Sequence, residues 1–308
     1  MKLSAVKPVS RVLARELTAT ALLLGGVSVV VFAILYLAPG DPLHVLGVRE
    51  AAAVPQTWYG RYAAWLAKVV QGDFGHSIRS GVPVLPELAR VGVNTLYLTL
   101  GSLALTAAIA VPIAVHAATH GDTAGNTTAT VAAYVLSAVP VFWFGYIVVY
   151  VFIHYFGMFP LISGSAARQQ HAWLYFLVPI FVLGTASGTL AEMIRHLREE
   201  LSRVLGEDYI RTARAKGAAV WRHAFKEGFL IPVTEIMSAK MPYLLGGAVI
   251  VEQVFNWPGM GRMAWQAAQD RDYPVIMGIA LLAAAFVRLG NLAHRIVVTA
   301  VNPRASQE

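Results

Sequence analysis

Long apolar runs separated by short polar intervals set the character of this chain. The first run, Leu17–Leu37, carries no charged residue over 21 positions, and a bilayer's hydrocarbon core takes roughly 20 apolar residues as helix. Thr95–Val115 is a second run, with Pro112 near its end. Ala129–Phe156 is a third, long enough to tilt, with Pro140 inside it. Trp173–Met193 follows, and its small residues from Gly184 to Gly188 suit close helix packing. Phe229–Val251 is the least lipid-like run, and the last extends from Val275 towards Val301. The pattern predicts an all-α membrane protein with six spanning helices. Residues 1–16 precede the first span at 17–37, an external segment occupies 38–93, and residues 305–308 form a tail. The core domain covers 94–304 and contains a charged loop at 195–228.

The polar intervals give direction. Lys2, Lys7, Arg11 and Arg15 precede the first run. That run exceeds a signal-peptide core of about 7–15 residues and no small-x-small cleavage site follows it, so it is expected to be retained. Ala38-Pro39-Gly40-Asp41-Pro42 ends the helix, because two prolines and a glycine cannot continue it. Trp58, Tyr59, Tyr62 and Trp65 come next at near-helical spacing, as an aromatic belt at the membrane interface would. From Arg195 to Lys226 there are eight basic residues in 32 positions, against five in the 56 positions of 38–93. Basic residues collect on the cytoplasmic side, so both termini are expected there, in a prokaryotic inner or plasma membrane. The loop at 116–128 holds His116, His120 and Asp122 but no Lys or Arg, and gives that orientation no support.

Composition narrows the classes. The 308 residues are 57% hydrophobic and 13% charged, against about 25% charged in soluble domains. A formal charge of +7 is spread over loops without a basic tail, so nucleic acid is not an expected partner. There is no cysteine, which excludes thiolate chemistry and disulfides, and nine scattered histidines make no HExxH or similar metal cluster. No GxxxxGK[ST] phosphate loop occurs, so the chain is not expected to bind ATP itself or to hold a cofactor. Gly184–Gly188 reads GTASG and misses the GxSxG nucleophile pattern. An intramembrane hydrolase thus finds no constellation here, and no catalytic residue is expected.

The stretch Glu207–Val233 is the longest charged interval between apolar runs. Asp208–Lys216 has good helix formers and no proline, and Gly217 supplies a stop. Physics alone allows a basic amphipathic helix lying on anionic lipid. The residues Tyr209, Ile210, Arg211, Thr212, Ala213, Arg214, Ala215, Lys216 and Gly217, then Arg222-His223-Ala224 and Ile231-Pro232, resemble something more specific. They look like the cytoplasmic loop of ATP-binding-cassette (ABC) importer permeases of the oligopeptide/dipeptide branch, with a shorter interval from Gly217 to Pro232. In that family the loop forms a coupling helix that docks on a separate ATPase.

Further stretches carry the same resemblance. They are Ala38–Pro42, the run Gly72-Asp73-Phe74-Gly75-His76-Ser77 with Arg79-Ser80-Gly81, and Ser137–Trp143 around Pro140. Val251–Arg262 is similar to the family's stretch after the fifth helix, and the resemblance implies an external gate or binding-protein contact at Glu252, Phe255, Pro258, Gly259, Gly261 and Arg262. Asp272-Tyr273-Pro274, Asn291 and Asn302-Pro303-Arg304 complete the likeness. It implies a type I importer permease. The implied partners are a second homologous permease, one or two ATPase subunits, an external solute-binding protein and membrane lipid. The cargo it implies is di- or oligopeptide, while related branches carry nickel, glutathione or haem.

Glu235, Lys240, Pro242, Gly246 and Gly247 make the fifth run a poor lipid-facing helix, and with Pro140 they are the candidates for a pathway lining. Glu235 and Lys240 are about 140° apart around a helix and are not expected to pair with each other. The plainer reading is that each pairs with a neighbouring helix. Segments 38–93 and 252–274 are expected to face a binding protein. Snorkelling accounts for Arg295 in the last run, whereas Arg288 lies deeper. A secondary transporter remains the rival class, using charges such as Glu235 to couple ions.

Overall fold

The structure, a computed structural model, describes residues 6–38, 57–121, 123–156 and 172–301. The Pro39–Pro42 part of the first turn motif, Asp122, Asn302-Pro303-Arg304 and the 305–308 tail lie outside the described residues. Among the described residues the chain is helical throughout apart from turns and one antiparallel pairing of His76 with Pro83.

Helix α1 runs Val6–Leu37, so it starts well before the apolar run that predicts it. The amphipathic helix α2 is Trp58–Val70. Helix α3, Val84–His120, absorbs the end of the segment expected to be an external loop. Val84, Leu88 and Val91 are buried while Glu87 and Arg90 carry the outer face, a helical spacing that extends the span backwards.

Two expected spans are broken. Ala129–Phe156 is α4, Ala124–Ala138, and α5, Val141–Phe156, bent by 99° at the break. Pro140 sits in that break and not inside a helix. The residue before a proline is held extended, and Val139 has φ −80°, ψ 127°. Trp173–Met193 is likewise α6, Ala172–Ala186, and α7, Thr189–Leu205, bent by 57°. Gly188 at φ +77° makes that corner. The apolar stripe of α7 (Leu190, Met193, Ile194, Leu197, Leu201, Val204) then continues through the interval expected to be a charged loop.

Beyond α7 come α8, Asp208–Ala215, α9, Val220–Ala224, and a π-helical turn, Phe225–Leu230. They lead into α10, Ile231–Val254. Helices α11, Met260–Asp270, and α12, Tyr273–Val301, close the chain. Among the described residues, three helices (α1, α3 and α12) are long and apolar enough to cross a membrane, or up to five spans if each bent pair counts as one. Helix α10 has 24 residues, about 36 Å of helix, and its apolar character is concentrated in Leu244–Val254.

The chain forms two compact units. The larger is Met1–Val12, Tyr97–Trp257 and Leu289–Glu308, and its core joins Leu98 and Leu103 to Val182 and Leu183 of α6 and Leu244, Ala248 and Val251 of α10. Helices α3 and α6 meet closely: a Cβ on Gly184 would stand 2.9 Å from the Ser102 carbonyl oxygen. Ser102 Oγ and Thr106 Oγ1 lie 3.1 and 2.8 Å from the Ile180 and Gly184 carbonyl oxygens. Small residues and hydroxyls are what bind helices where lipid removes the hydrophobic drive.

The smaller unit is Leu13–Leu96 and Pro258–Arg288. Its core packs Phe32 of α1 on Trp65 of α2 and on Tyr273 and Met277 of α12. The four aromatics of α2 divide. Trp58 and Tyr59 are exposed, whereas Trp65 is buried and Tyr62 turns to α1, its hydroxyl 2.8 Å from Ser28 Oγ.

Candidate functional site

The coupling segment is assembled from its first residue. Glu207 is extended (φ −65°, ψ 149°), so Asp208 opens α8, where a carboxylate suits the positive end of the helix. Arg211 Nη1 donates to Asp208 Oδ1 at 3.3 Å, and Thr212 Oγ1 to the Asp208 carbonyl at 2.9 Å. Ile210 and Ala213 turn inward, and Ile210 packs with Val204 and Ala224. Tyr209, Arg211, Thr212, Arg214, Ala215 and Lys216 are exposed.

Gly217 then takes φ +69°. The N–H groups of Gly217 and Ala218 donate to the carbonyls of Arg214 (3.0 Å) and Ala213 (2.9 Å), which is the Schellman closure of a helix. Nothing lies within 4 Å of where its Cβ would stand, so the left-handed backbone, and not crowding, favours glycine here. Behind α8, a Cβ on Gly228 would come 3.2 Å from Val204, so the π-turn lies directly on α7. A short helix with a polar outer face is thereby fixed to the end of a long helix.

The pathway candidates separate on α10. Glu235, Ala239, Pro242, Gly246, Ile250 and Gln253 are exposed and fall within one stripe about 80° wide. Ile236, Met241, Leu244, Ala248 and Val251 bury the opposite side. Gly247 belongs to the packed side, where its Cβ would stand 3.2 Å from Leu183 Cδ1. Lys240 pairs with Glu192 of α7, so that one of the two charges meets a neighbouring helix. Pro242 lacks the N–H that would bond the Ser238 carbonyl. The Ser238 hydroxyl donates to Asn291 Oδ1 at 2.6 Å, and Thr234 Oγ1 is 3.1 Å from His294 Nδ1. Pro140 is exposed at the α4–α5 break.

After α10 the chain turns tightly. The Trp257 N–H donates to the Glu252 carbonyl at 2.9 Å, and Asn256 takes φ +52°. Glu252, Phe255 and Trp257 are buried, Trp257 lying edge-on to Phe176 at 5.4 Å. In the smaller unit, Asn94 Nδ2 donates to the Pro258 carbonyl and the Met260 N–H to Thr95 Oγ1, both at 2.7 Å. Gly259 and Gly261 are buried, and Pro258 and Arg262 half-buried. Of the six residues singled out for this stretch, Glu252 and Phe255 are buried in the turn and Gly259 and Gly261 at the start of α11. Trp265 and Gln266, further along α11, are exposed.

Three pairings escaped sequence reasoning. Ser77 Oγ donates to Asp272 Oδ2 at 2.5 Å and the Arg79 N–H to the same oxygen at 3.3 Å, while Arg79 Nη1 reaches Asp270 Oδ2 at 2.6 Å. The Gly72–Gly81 motif and Asp272-Tyr273-Pro274 are thus one corner, although Ser77 and Asp272 are 195 residues apart in sequence. Arg288 Nη2 meets Glu16 Oε2 at 2.5 Å, and Arg288 Nε donates to Thr20 Oγ1 at 3.1 Å. Glu16 hid among the basic residues ahead of the first run, yet a lone acid there and the deeper of two arginines in the last run were the available signal. Glu192 with Lys240 is the third. Among the described residues no group of acids and histidines could hold a metal ion.

Known proteins are similar in sequence to nearly the whole chain. Residues 110–307 match the model of the family described as binding-protein-dependent transport system inner membrane component. The oligopeptide transport system permease protein AppB of Bacillus subtilis (strain 168) is 36% identical over 95% of this chain and 98% of that protein. The glutathione transport system permease protein GsiC of Escherichia coli (strain K12) is 32% identical over 90% of this chain and 92% of its own length. This chain is a multi-pass inner-membrane permease of the type I ABC importer fold, and it belongs to the family of binding-protein-dependent transport system inner membrane components.

Proposed function

We propose that this chain forms half of a translocation pathway for di- or oligopeptides, beside a second homologous permease. ATP is hydrolysed by one or two ABC ATPase subunits, and an external solute-binding protein delivers the cargo. The observation that carries this reading is α8: a glycine-terminated helix whose side chains point outward except for the two that anchor it. Such a helix transmits a push from a docked ATPase into α7 without unfolding. The peptide cargo rests on similarity to the oligopeptide permease AppB, and glutathione, itself a small peptide, is the cargo named for GsiC.

The exposed stripe of α10 is the proposed wall of the pathway. Its Gly246 has nothing within 4 Å of a Cβ position, and Pro242 leaves a carbonyl that water or cargo can satisfy. Both termini are cytoplasmic in this reading, and the Arg79 and Gln266 surface faces the binding protein. Single cysteines from Ile236 to Val249 test the wall, since the native chain has none. Sites at Ala239, Pro242 and Gly246 react with a small polar thiol reagent, and their reactivity changes when ATP is trapped on the ATPases. Equal silence at all sites in both states refutes the wall. Mass spectrometry of ligand retained by the co-purified binding protein identifies the cargo.

A further inference from the structure

The smaller unit holds a half-open cavity of about 520 Å³ between α1, α2, the first turns of α3 and α12, with Ala21 and Leu85 exposed at its rim. Ala21 and Gly25 of α1, Leu66 of α2, Leu85 of α3, and Leu282 and Ala285 of α12 are among its walls. Its one hydroxyl-bearing wall residue, Ser28, is already engaged, 2.7 Å from the Gly25 carbonyl oxygen and 2.8 Å from the Tyr62 hydroxyl. The α1 wall is small where it borders the space: nothing lies within 4 Å of a Cβ built on Gly25.

Its occupant must be apolar. Water in such a site would lack the two to four polar partners that hold buried water. A peptide's backbone would lose its hydrogen bonds for the same reason. A partner helix occupies roughly 500 Å³ per turn at 10–12 Å diameter, so the space admits about one turn of it, walled by four elements. A flexible hydrocarbon chain meets each limit. Depth agrees: the α1 and α12 walls lie within the candidate spans Arg15–Leu37 and Tyr273–Ala300. The Phe32–Met277 packing and the Glu16–Arg288 pair bracket these walls along the two helices.

We propose that one acyl chain of a bilayer phospholipid resides in this cavity as a fixed component of the fold. The chain takes the place of the side chains that Ala21, Gly25 and Ala285 lack, and it ties α1 to α12 above the Glu16–Arg288 pair. The site is independent of the transport reading.

The test uses the full-length protein in nanodiscs of phosphatidylethanolamine and phosphatidylglycerol, doped with a phospholipid carrying a photoactivatable group on its acyl chain. Crosslinks mapped by mass spectrometry concentrate several-fold on Leu24, Leu85 and Leu282 over Leu22 and Val30, which are exposed on α1. Gly25→Phe fills the cavity, abolishes that excess and leaves labelling of Leu22 unchanged. Ala21→Leu gives a smaller loss and serves if the larger side chain is not tolerated. Labelling spread evenly over every face of α1 overturns the proposal, as does an excess that survives filling. Crosslinking of the cavity positions to a co-expressed partner permease in place of lipid also overturns it.

Discussion

In α8 the polar side chains point outward and two apolar ones, Ile210 and Ala213, fix the helix to its neighbours. At the corner joining Ser77 to Asp272 the fastening is polar instead: these two side chains are buried and bonded to each other, while Arg79 and Asp270 pair on the outside. Both regions are short glycine-bearing motifs, and in the sequence they look alike. Their difference shows that a polar motif can be an exposed face or the internal fastening of a turn. Stability and coupling measurements tell these apart. Replacing an exposed polar group away from special features shifts stability by within about 0.5 kcal/mol, whereas replacing a buried one leaves an orphaned partner.

The largest loss is expected at Glu16 and Arg288. Either residue changed to Ala leaves the other charge buried and unmatched, a change of about 3–5 kcal/mol for a buried pair. Thermal unfolding of the purified protein should show it, and the reversed pair Glu16→Arg with Arg288→Glu should recover part of it. Unfolding no earlier than for Arg214→Ala would place this pair with the exposed groups.

Asp272→Ala comes next. It removes the acceptor for Ser77 Oγ and the Arg79 N–H, an effect of about 1–3 kcal/mol for buried hydrogen-bonding groups left unpaired. Hydrogen exchange should quicken across 73–83, and Asp272→Asn, which keeps an acceptor oxygen, should spare most of the protection. Unchanged exchange in Asp272→Ala would mean that the loop holds its shape without the corner.

These ranks follow from what the sequence could and could not display. Apolar runs located every long helix, and Gly217 marked the end of α8, because hydrophobicity and a glycine stop are local properties. Pro140 was visible too, but whether a proline kinks a helix or ends it depends on the packing of α4 and α5, which no single run contains. The same holds for Gly188. Pairings such as Ser77 with Asp272, separated by 195 residues, are tertiary facts. Of the residues expected to form an external gate or binding-protein contact, Glu252, Phe255, Gly259 and Gly261 are buried, and only the three-dimensional turn after α10 reveals that. A motif records that residues recur together and says nothing about which way they face.

Lys240 and Glu192 stand between the two extremes, since their side chains are 18% and 38% exposed. Lys240→Glu sets two carboxylates together, and adding Glu192→Lys restores opposite charges. The interaction energy from the double-mutant cycle should fall within about 0.5–3 kcal/mol, as for residues in direct contact. Additive single effects would show that the pair contributes no energy of its own. Because α7 leads directly into α8, the single reversals should also lower transport per ATP, and the double reversal should return it.

The smallest change in stability and the clearest change in coupling are expected at Gly217. A side chain here meets empty space, so the penalty is conformational alone, about 1–2 kcal/mol for a left-handed non-glycine residue. Asn tolerates that region better than most residues, and Val, branched at Cβ, tolerates it worst. Gly217→Asn should therefore transport nearly as the parent does. Gly217→Val should insert at normal levels and keep its melting temperature within a few degrees, because Ile210 still anchors α8. Its Schellman closure is strained, however, so the exposed residues Arg214 and Lys216 shift against whatever docks on them. ATP hydrolysis by the assembled complex should then continue with little substrate moved. Normal uptake by Gly217→Val at normal expression would remove α8 from the coupling role, while loss of the whole protein would show that this exposed helix is a structural fastening after all.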